Sequence, residues 1–386
     1  MRIGLLGCGF IARYHAMQLA LAAEPNEIVA VHDPGPERAA AFAAAEGGEA
    51  MASMAEVVEA ADAVFVCTWT ASHLAAVEAV AAAGKPVFCE KPLGVDLVDA
   101  TAVAAAAAAS PFNMVGLVLR TSPALLAFRE LVVDPAAGRL MNVVFRDDQF
   151  IPTQGMYDSD WRGDPARAGS GTLLEHSIHD VDILEWLGGP LERVSAQQAF
   201  FHGIEGIEDS VGVVGRYASG AGVSLTSIWH DILDRPSQRR IEAFCERRLV
   251  TLEGDIFGPV SVHSDDDSFT LDGDDLVDWL RDRGVPLVSS EQEFLVAVAA
   301  AKAGSTAKPG AGGAVGAGAV AGEIVAGGVG GGEPSGTAVA AVPVRLRPDV
   351  ADALRAHVVV DTVYRSARSG GDAVVVPAPG HHAVGQ

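Results

Sequence analysis

From Arg2 to about Val118 the chain alternates short runs of β-favouring apolar residues with alanine-rich stretches of helical composition. Strands are expected at Arg2–Gly7, Glu27–Asp33, Ala63–Thr68, Pro86–Glu90 and Asn113–Val118. This is the rhythm of βαβ units, which build a parallel sheet covered on both faces. Helix starts are marked locally. Ser53 with Glu56 three residues later forms a capping-box pattern, and Pro36 suits a first helical turn.

Past about Thr121 the rhythm changes. A short helix leads to longer strands at roughly Asn142–Phe150, Val194–Phe201, Val211–Tyr217 and Val223–Trp229, the last two joined by the hairpin signal Ser219-Gly220. One strongly helical segment, Thr172–Leu187, stops at Gly188-Gly189. From about Ala303 to Ala341 Gly and Ala dominate, without the large apolar groups that offset ordering entropy, and a flexible insertion is expected. Helical spacing returns over Pro348–Ser369 through Val350, Leu354, Val358 and Val363, ahead of a short strand at Ala373–Val376.

A chain of 386 residues with 49% hydrophobic content can bury two cores. Its formal charge of -23 repels phosphate backbones and anionic headgroups, so neither nucleic acid nor membrane is an expected partner. The longest apolar run, around Ala102–Ala109, is about half of a bilayer span. No signal peptide is expected, because the residues after Met1 already read as a strand. Cys8, Cys67, Cys89 and Cys245 show no CxxC pairing, which fits a reducing cytoplasm.

Gly7-Cys8-Gly9-Phe10-Ile11-Ala12 lies between the first strand and the first helix, where glycine lets the backbone approach a pyrophosphate at a helix N-terminus. Ala12 stands where a third glycine often lies. Asp33 ends the second strand, placed to accept hydrogen bonds from ribose hydroxyls and to repel a 2′-phosphate. NAD is therefore expected over NADP, with Arg38 close enough to soften the choice. Asp33-Pro34-Gly35-Pro36 is also an ordinary turn composition. The fold class expected is an α/β Rossmann domain with a parallel doubly wound sheet, plus an α+β domain with an open, mainly antiparallel sheet. Residues 1–120 form the first, 121–302 the second, 303–345 the insertion, and 346–386 a C-terminal helix and strand that pack back on the core ahead of a flexible tail.

Two further motifs accompany the glycine loop. One is Cys67-Thr68-Trp69-Thr70-Ala71-Ser72-His73 followed by Gly84-Lys85-Pro86-Val87-Phe88-Cys89-Glu90-Lys91-Pro92; the other is Trp161-Arg162 leading into Gly169-Ser170-Gly171-Thr172-Leu173-Leu174-Glu175-His176-Ser177-Ile178-His179-Asp180-Val181-Asp182. With these three motifs the chain resembles the Gfo/Idh/MocA oxidoreductases over most of its length. The resemblance implies a cofactor site of Gly7, Gly9, Phe10, Ile11, Ala12, Asp33, Thr68, Trp69, His73, Glu90 and Lys91, and substrate contacts from Lys91, Trp161, Arg162, Glu175 and His179. It also implies a polyhydroxylated substrate, such as a sugar, a sugar derivative or a cyclitol, and a homodimer or homotetramer formed through the open sheet. Two departures stand out: Glu175 replaces the usual aspartate, and Ser170 interrupts the glycine run.

The chemistry agrees with that set. Oxidising a secondary alcohol sends a hydride to nicotinamide while the hydroxyl proton must leave, so an imidazole is a sensible acceptor and a Lys91 ammonium would stabilise alkoxide character. On a continuous helix Glu175, His179, Asp182 and Trp186 share one stripe and His176 points elsewhere. The family pattern likewise sets an acid four residues before its catalytic histidine. The expected catalytic residues are thus Lys91, His179 and Glu175, the last orienting the imidazole or touching substrate. Neither this cluster nor His381-His382 offers three convergent ligands at recognisable spacing, so no metal is expected. Two other readings stay open: a glycoside-cleaving enzyme of the same fold that uses NAD transiently, and a non-catalytic ligand sensor, against which the presence of both Lys91 and His179 counts.

Overall fold

The computed structural model describes residues 1–305 and 347–380. The expected insertion therefore lies outside the described residues, apart from Ala303–Ser305 at the end of a helix, and so does the His381-His382 pair.

β1 (Arg2–Leu6), β2 (Glu27–His32), β3 (Glu49–Ala50), β4 (Ala63–Val66), β5 (Val87–Cys89) and β6 (Asn113–Val115) form a parallel sheet in the order β3-β2-β1-β4-β5-β6. Every residue of β4 and β5 is buried, because both faces of the sheet are covered; hence their near-continuous apolar runs. The two-residue β3 is too short for any period to announce it. Ser53 Oγ accepts the Glu56 N–H, as the spacing predicts. Strand order reverses between β1 and β4, which opens a crevice at the carboxyl ends of the strands.

The second sheet contains β7 (Leu140–Phe150), β8 (Leu191–Ala199), β9 (Ser210–Tyr217), β10 (Gly222–His230), β11 (Gln238–Cys245), β12 (Leu249–Leu252), β13 (Val260–His263), β14 (Ser268–Leu271) and β15 (Val374–Val375). Their order is β14-β13-β12-β11-β7-β10-β9-β8-β15, antiparallel throughout except for the parallel pair β7 and β10. The strands expected from the sequence do not include β11 to β14. The inward positions of β11 are Arg239, Ile241, Ala243 and Cys245, and the buried arginine breaks the apolar alternation. Helices Pro123–Val133, Ile178–Gly188 and Val350–Arg368 cover one face through residues such as Phe128, Leu184 and Val359. The other face leaves Val214 and Phe244 exposed.

The expected single helix over Thr172–Leu187 is two helices, Thr172–Glu175 and Ile178–Gly188. Tertiary hydrogen bonds pull the chain off the helical path between them. Ser177 Oγ donates to Asp147 Oδ2 at 2.9 Å and bonds Ser227 Oγ at 2.6 Å, while His176 Nε2 lies 2.9 Å from Asp147 Oδ2.

Two late elements complete the first core. Helix Ser290–Ser305 starts inside the range expected for the second domain, yet its Phe294, Leu295 and Val298 pack on Ile3, Leu5, Phe65 and Phe88 of the first sheet. Helix Val350–Arg368, opened by a capping box at Asp349, puts Val350, Ala353 and Leu354 into the other face of that sheet and Ala356, Val359 and Val363 into the core of the second.

Candidate active site

The carboxyl ends of β1, β4 and β5 and the loops beyond β7 enclose a cleft of about 630 Å³, a usual size for a cofactor and small-molecule site. Gly7 turns the chain out of β1 at φ +92°, and a Cβ there would lie 2.5 Å from Cys67 O, so only glycine fits. A Cβ at Gly9 meets nothing within 4 Å. Gly9 caps helix Phe10–Leu21, whose first turn has neither a capping side chain nor an acidic residue. Unclaimed N–H groups beside an open Cβ position suit a pyrophosphate, and on that observation the residues fit a dinucleotide. Asp33 sits at the far end of the cleft, oriented by Cys8 N–H on Oδ2 at 3.0 Å and Gly35 N–H on Oδ1 at 2.8 Å, with Arg38 Nη1 3.4 Å away.

Gly7, Gly9, Phe10, Ile11, Asp33, Thr68, Trp69, Glu90, Lys91, Trp161, Arg162, Glu175 and His179 all line this cleft. Two expected cofactor residues do not. Ala12 is fully buried against the first sheet, where its small side chain allows close helix packing. His73 is buried behind the loop, its ring nitrogens 3.2 Å from Thr68 O and 3.3 Å from Leu93 O, so it ties Thr68 to the turn after Lys91. The cleft also takes in Thr70, Tyr157, Gln149, Trp229 and His176, which sequence patterns do not single out as lining residues.

Lys91 follows β5 and its Nζ donates to the main-chain oxygen of Glu175 at 2.6 Å. Burial lowers its pKa, against the pull of Glu175 and Glu90. The Glu175 side chain accepts from Thr70 Oγ1 at 2.7 Å and lies 3.6 Å from Arg162 Nε, and the Arg162 guanidinium stacks on Trp161 at 4.4 Å. The Glu175 carboxylate thus meets Thr70 and Arg162 and not the imidazole, and among the described residues nothing bonds His179 Nδ1; of the two roles expected of Glu175, the contacts favour touching substrate. The break after Glu175 explains this, since it removes the one-turn stacking of Glu175 over His179. Burial, then the charges of Lys91 and Arg239, holds the His179 pKa well below its ordinary value, so the ring is neutral.

The same break brings His176 to the cleft, contrary to the helix-face expectation. Its Nε2 is fixed by Asp147 at 2.9 Å and Arg239 at 3.2 Å, and burial drives its pKa down to about 3. Arg239 in turn joins Asp180 and Asp255 at 2.8 and 2.6 Å. A second buried cluster backs Glu90, whose Oε1 lies 2.8 Å from His15 Nε2.

A parallel sheet with a ligand-ready glycine turn, facing a second domain whose helices Thr172–Glu175 and Ile178–Gly188 bring an acid and a histidine into the cleft with Lys91, defines the architecture of the two-domain, dinucleotide-binding oxidoreductases. Residues 1–115 match a family model described as oxidoreductase family, NAD-binding Rossmann fold, and residues 125–250 match the Gfo/Idh/MocA C-terminal domain. The chain belongs to the Gfo/Idh/MocA oxidoreductase family. It is similar to an inositol 2-dehydrogenase of Cereibacter sphaeroides, 34% identical over 204 residues, 52% of this chain and 57% of the relative. It is similar to a 1,5-anhydro-D-fructose reductase of Ensifer adhaerens, 34% identical over 235 residues, 57% of this chain and 66% of the relative. The chain thus spans 57% and 66% of the length of these two relatives. In fold it is like the solved levoglucosan dehydrogenase in complex with NADH and L-sorbose, with a TM-score of 0.74 at 18% identity, covering 98% of this chain and 99% of that one.

Proposed function

We propose that the protein is an NAD-dependent oxidoreductase that transfers a hydride between nicotinamide and the secondary alcohol or ketone of a sugar, sugar derivative or cyclitol. One observation carries the reading: Lys91 and a neutral His179, whose Nδ1 has no partner among the described residues, face the same cleft as the glycine turn and Asp33. Gly7, Gly9, Phe10 and Asp33 would hold the dinucleotide, and bound NAD supplies the hydride acceptor or donor. The remaining work falls to the chain. In the oxidative direction Lys91 polarises the reacting oxygen and His179 takes the hydroxyl proton. Glu175 fixes the Lys91 ammonium through its main-chain oxygen and, with Arg162, offers a charged pair to the substrate's other hydroxyls.

Asp33 favours NAD over NADP. The exposed Val214 and Phe244 on the open sheet support a homodimer or homotetramer, and four buried free cysteines suit a reducing cytoplasm. A panel of sugars and cyclitols followed by NADH absorbance tests the reading. Turnover of at least one polyol is expected; NAD binding with no turnover on any of them would overturn it. Glycoside cleavage without net NADH would replace it with the transient-redox alternative.

A further inference from the structure

Behind the cleft, three ionisable side chains from distant stretches of the chain meet in the buried interior. His15 lies on the buried face of helix Phe10–Leu21 with Ala12, Ala16 and Leu19, and packs against the rings of Phe65 and Phe88 at 5.4 and 5.0 Å. Its Nε2 is 2.8 Å from Glu90 Oε1 and its Nδ1 is 2.6 Å from Glu291 Oε1. Glu291 comes from the start of helix Ser290–Ser305. All three are almost wholly inaccessible, and charges so placed are tolerated only when every donor meets an acceptor.

Geometry sets the proton count. Both ring nitrogens face carboxylate oxygens, which accept, whereas a neutral imidazole has a single N–H. An imidazolium satisfies both contacts. Burial opposes that charge, but the hydrogen bonds to Glu291 and Glu90 outweigh it and raise the His15 pKa to about 9. The other titratable groups around the trio are Tyr14, Cys67 and Cys89, kept neutral because burial raises their pKa, and the cations Lys91 and Arg162 on the cleft side of Glu90. On the cleft side the Lys91 ammonium and the Arg162 guanidinium both attract the Glu90 carboxylate. Glu90 is held on three sides. Oε1 takes His15, Oε2 takes the Lys91 main-chain N–H at 3.1 Å, and a Cβ at Gly116 would fall on the carboxylate.

We propose that His15 and Glu291 are positioning residues for the reaction: as a buried charged bridge they fix the Glu90 carboxylate, and through it the Lys91 main chain, in the pose that aims the Lys91 ammonium at the substrate oxygen. This rests on the oxidoreductase reading above and adds residues that touch neither cofactor nor substrate.

The test compares wild type, Glu291→Gln and His15→Gln. Glutamine at 291 keeps the size and an acceptor but removes the charge that retains the second imidazole proton. The ratio of its kcat to that of wild type should fall about tenfold from neutral to mildly alkaline pH, with KM and NAD affinity unchanged, since small misplacements of a catalytic group cost rate before binding. In ¹⁵N NMR the His15 midpoint should drop by about a unit or more in Glu291→Gln. In wild type the Lys91 main-chain amide should shift with the same midpoint as His15, a readout that needs no turnover. His15→Gln, unable to carry charge, should lose about tenfold or more in kcat at every pH. If His15→Gln fails to fold, Glu291→Gln carries the test. A wild-type His15 midpoint at the ordinary histidine value, a Lys91 amide blind to that titration, or an unchanged kcat–pH profile in Glu291→Gln would each overturn the proposal. Absent turnover with the His15–Lys91 coupling intact would instead overturn the oxidoreductase reading.

Discussion

A methyl group added at Gly9 enters open space, whereas at Gly7 it meets the Cys67 main chain in a backbone only glycine adopts readily. Gly9→Ala is expected to keep a Tm near wild type and to bind NAD about tenfold or more weakly, because the methyl blocks the pyrophosphate's approach. Gly7→Ala should unfold at markedly lower temperature. Thermal melts and fluorescence titration separate the two, and an equal loss of Tm in both variants would remove the ligand argument for Gly9. Lys91→Ala and His179→Ala should lower kcat about a hundredfold or more while leaving NAD affinity nearly intact. His176→Ala should cost less kcat and more Tm, since His176 is bonded to Asp147 and Arg239. Because the His179 pKa is depressed, its base form persists as pH falls, and the acid limb of kcat/KM for oxidation should lie below the ordinary histidine range. Gly7 and Gly9 are legible from their spacing between a strand and a helix, Glu90 and Lys91 only through the motif that carries the family resemblance. His15 was visible only as a histidine at a buried i, i+3, i+4, i+7 stripe, and no local signal reveals that its partners lie 75 and 276 positions away.

Segments with a strong period were legible as elements, and segments shaped by tertiary hydrogen bonds were not. β4 and β5 follow from apolar runs, but β11 is disguised by its buried arginine, and the helix through Glu175 reads as continuous until Asp147 captures Ser177. The break turns His176 into the cleft and leaves Glu175 facing it too, where substrate contact, the other role expected of its side chain, stays open. The short helix Thr172–Glu175 is anchored from outside: Glu208 accepts the N–H groups of Gly171 and Leu173 at 2.7 and 3.0 Å and the hydroxyl of Tyr364 at 2.8 Å. Glu208→Ala would leave all three donors dry. It is expected to cost about 3 kcal/mol or more in urea denaturation, against about 1 kcal/mol for Tyr364→Phe. A loss below 1 kcal/mol for Glu208→Ala would mean that water reaches these donors.

At the scale of the molecule, helix Val350–Arg368 joins the two cores and also braces the Lys91 turn, since His357 Nε2 accepts the Leu93 N–H at 3.0 Å. Burial pushes the His357 pKa down to about 3, so the folded protein keeps it neutral while the unfolded chain protonates it below about pH 6.5. Its contribution to stability is therefore full above that pH and falls as acid is added. His357→Gln removes this liability, and the stability difference from wild type should move in the variant's favour by about 2 kcal/mol between pH 7 and pH 5. A pH-independent difference in denaturation midpoints would contradict the assignment. Two sheets of the expected kinds were legible at this scale; the bridging was not, because helical period shows that a face is buried without showing against what. The bridge also bears on the order of synthesis. A ribosome delivers the six strands of the first sheet early, but Phe294 on one face and Val350, Ala353 and Leu354 on the other emerge only after β7 to β14. The nascent N-terminal portion must wait with uncovered apolar surface for the last helices to arrive, a dwell in which chaperones can bind and truncated chains aggregate.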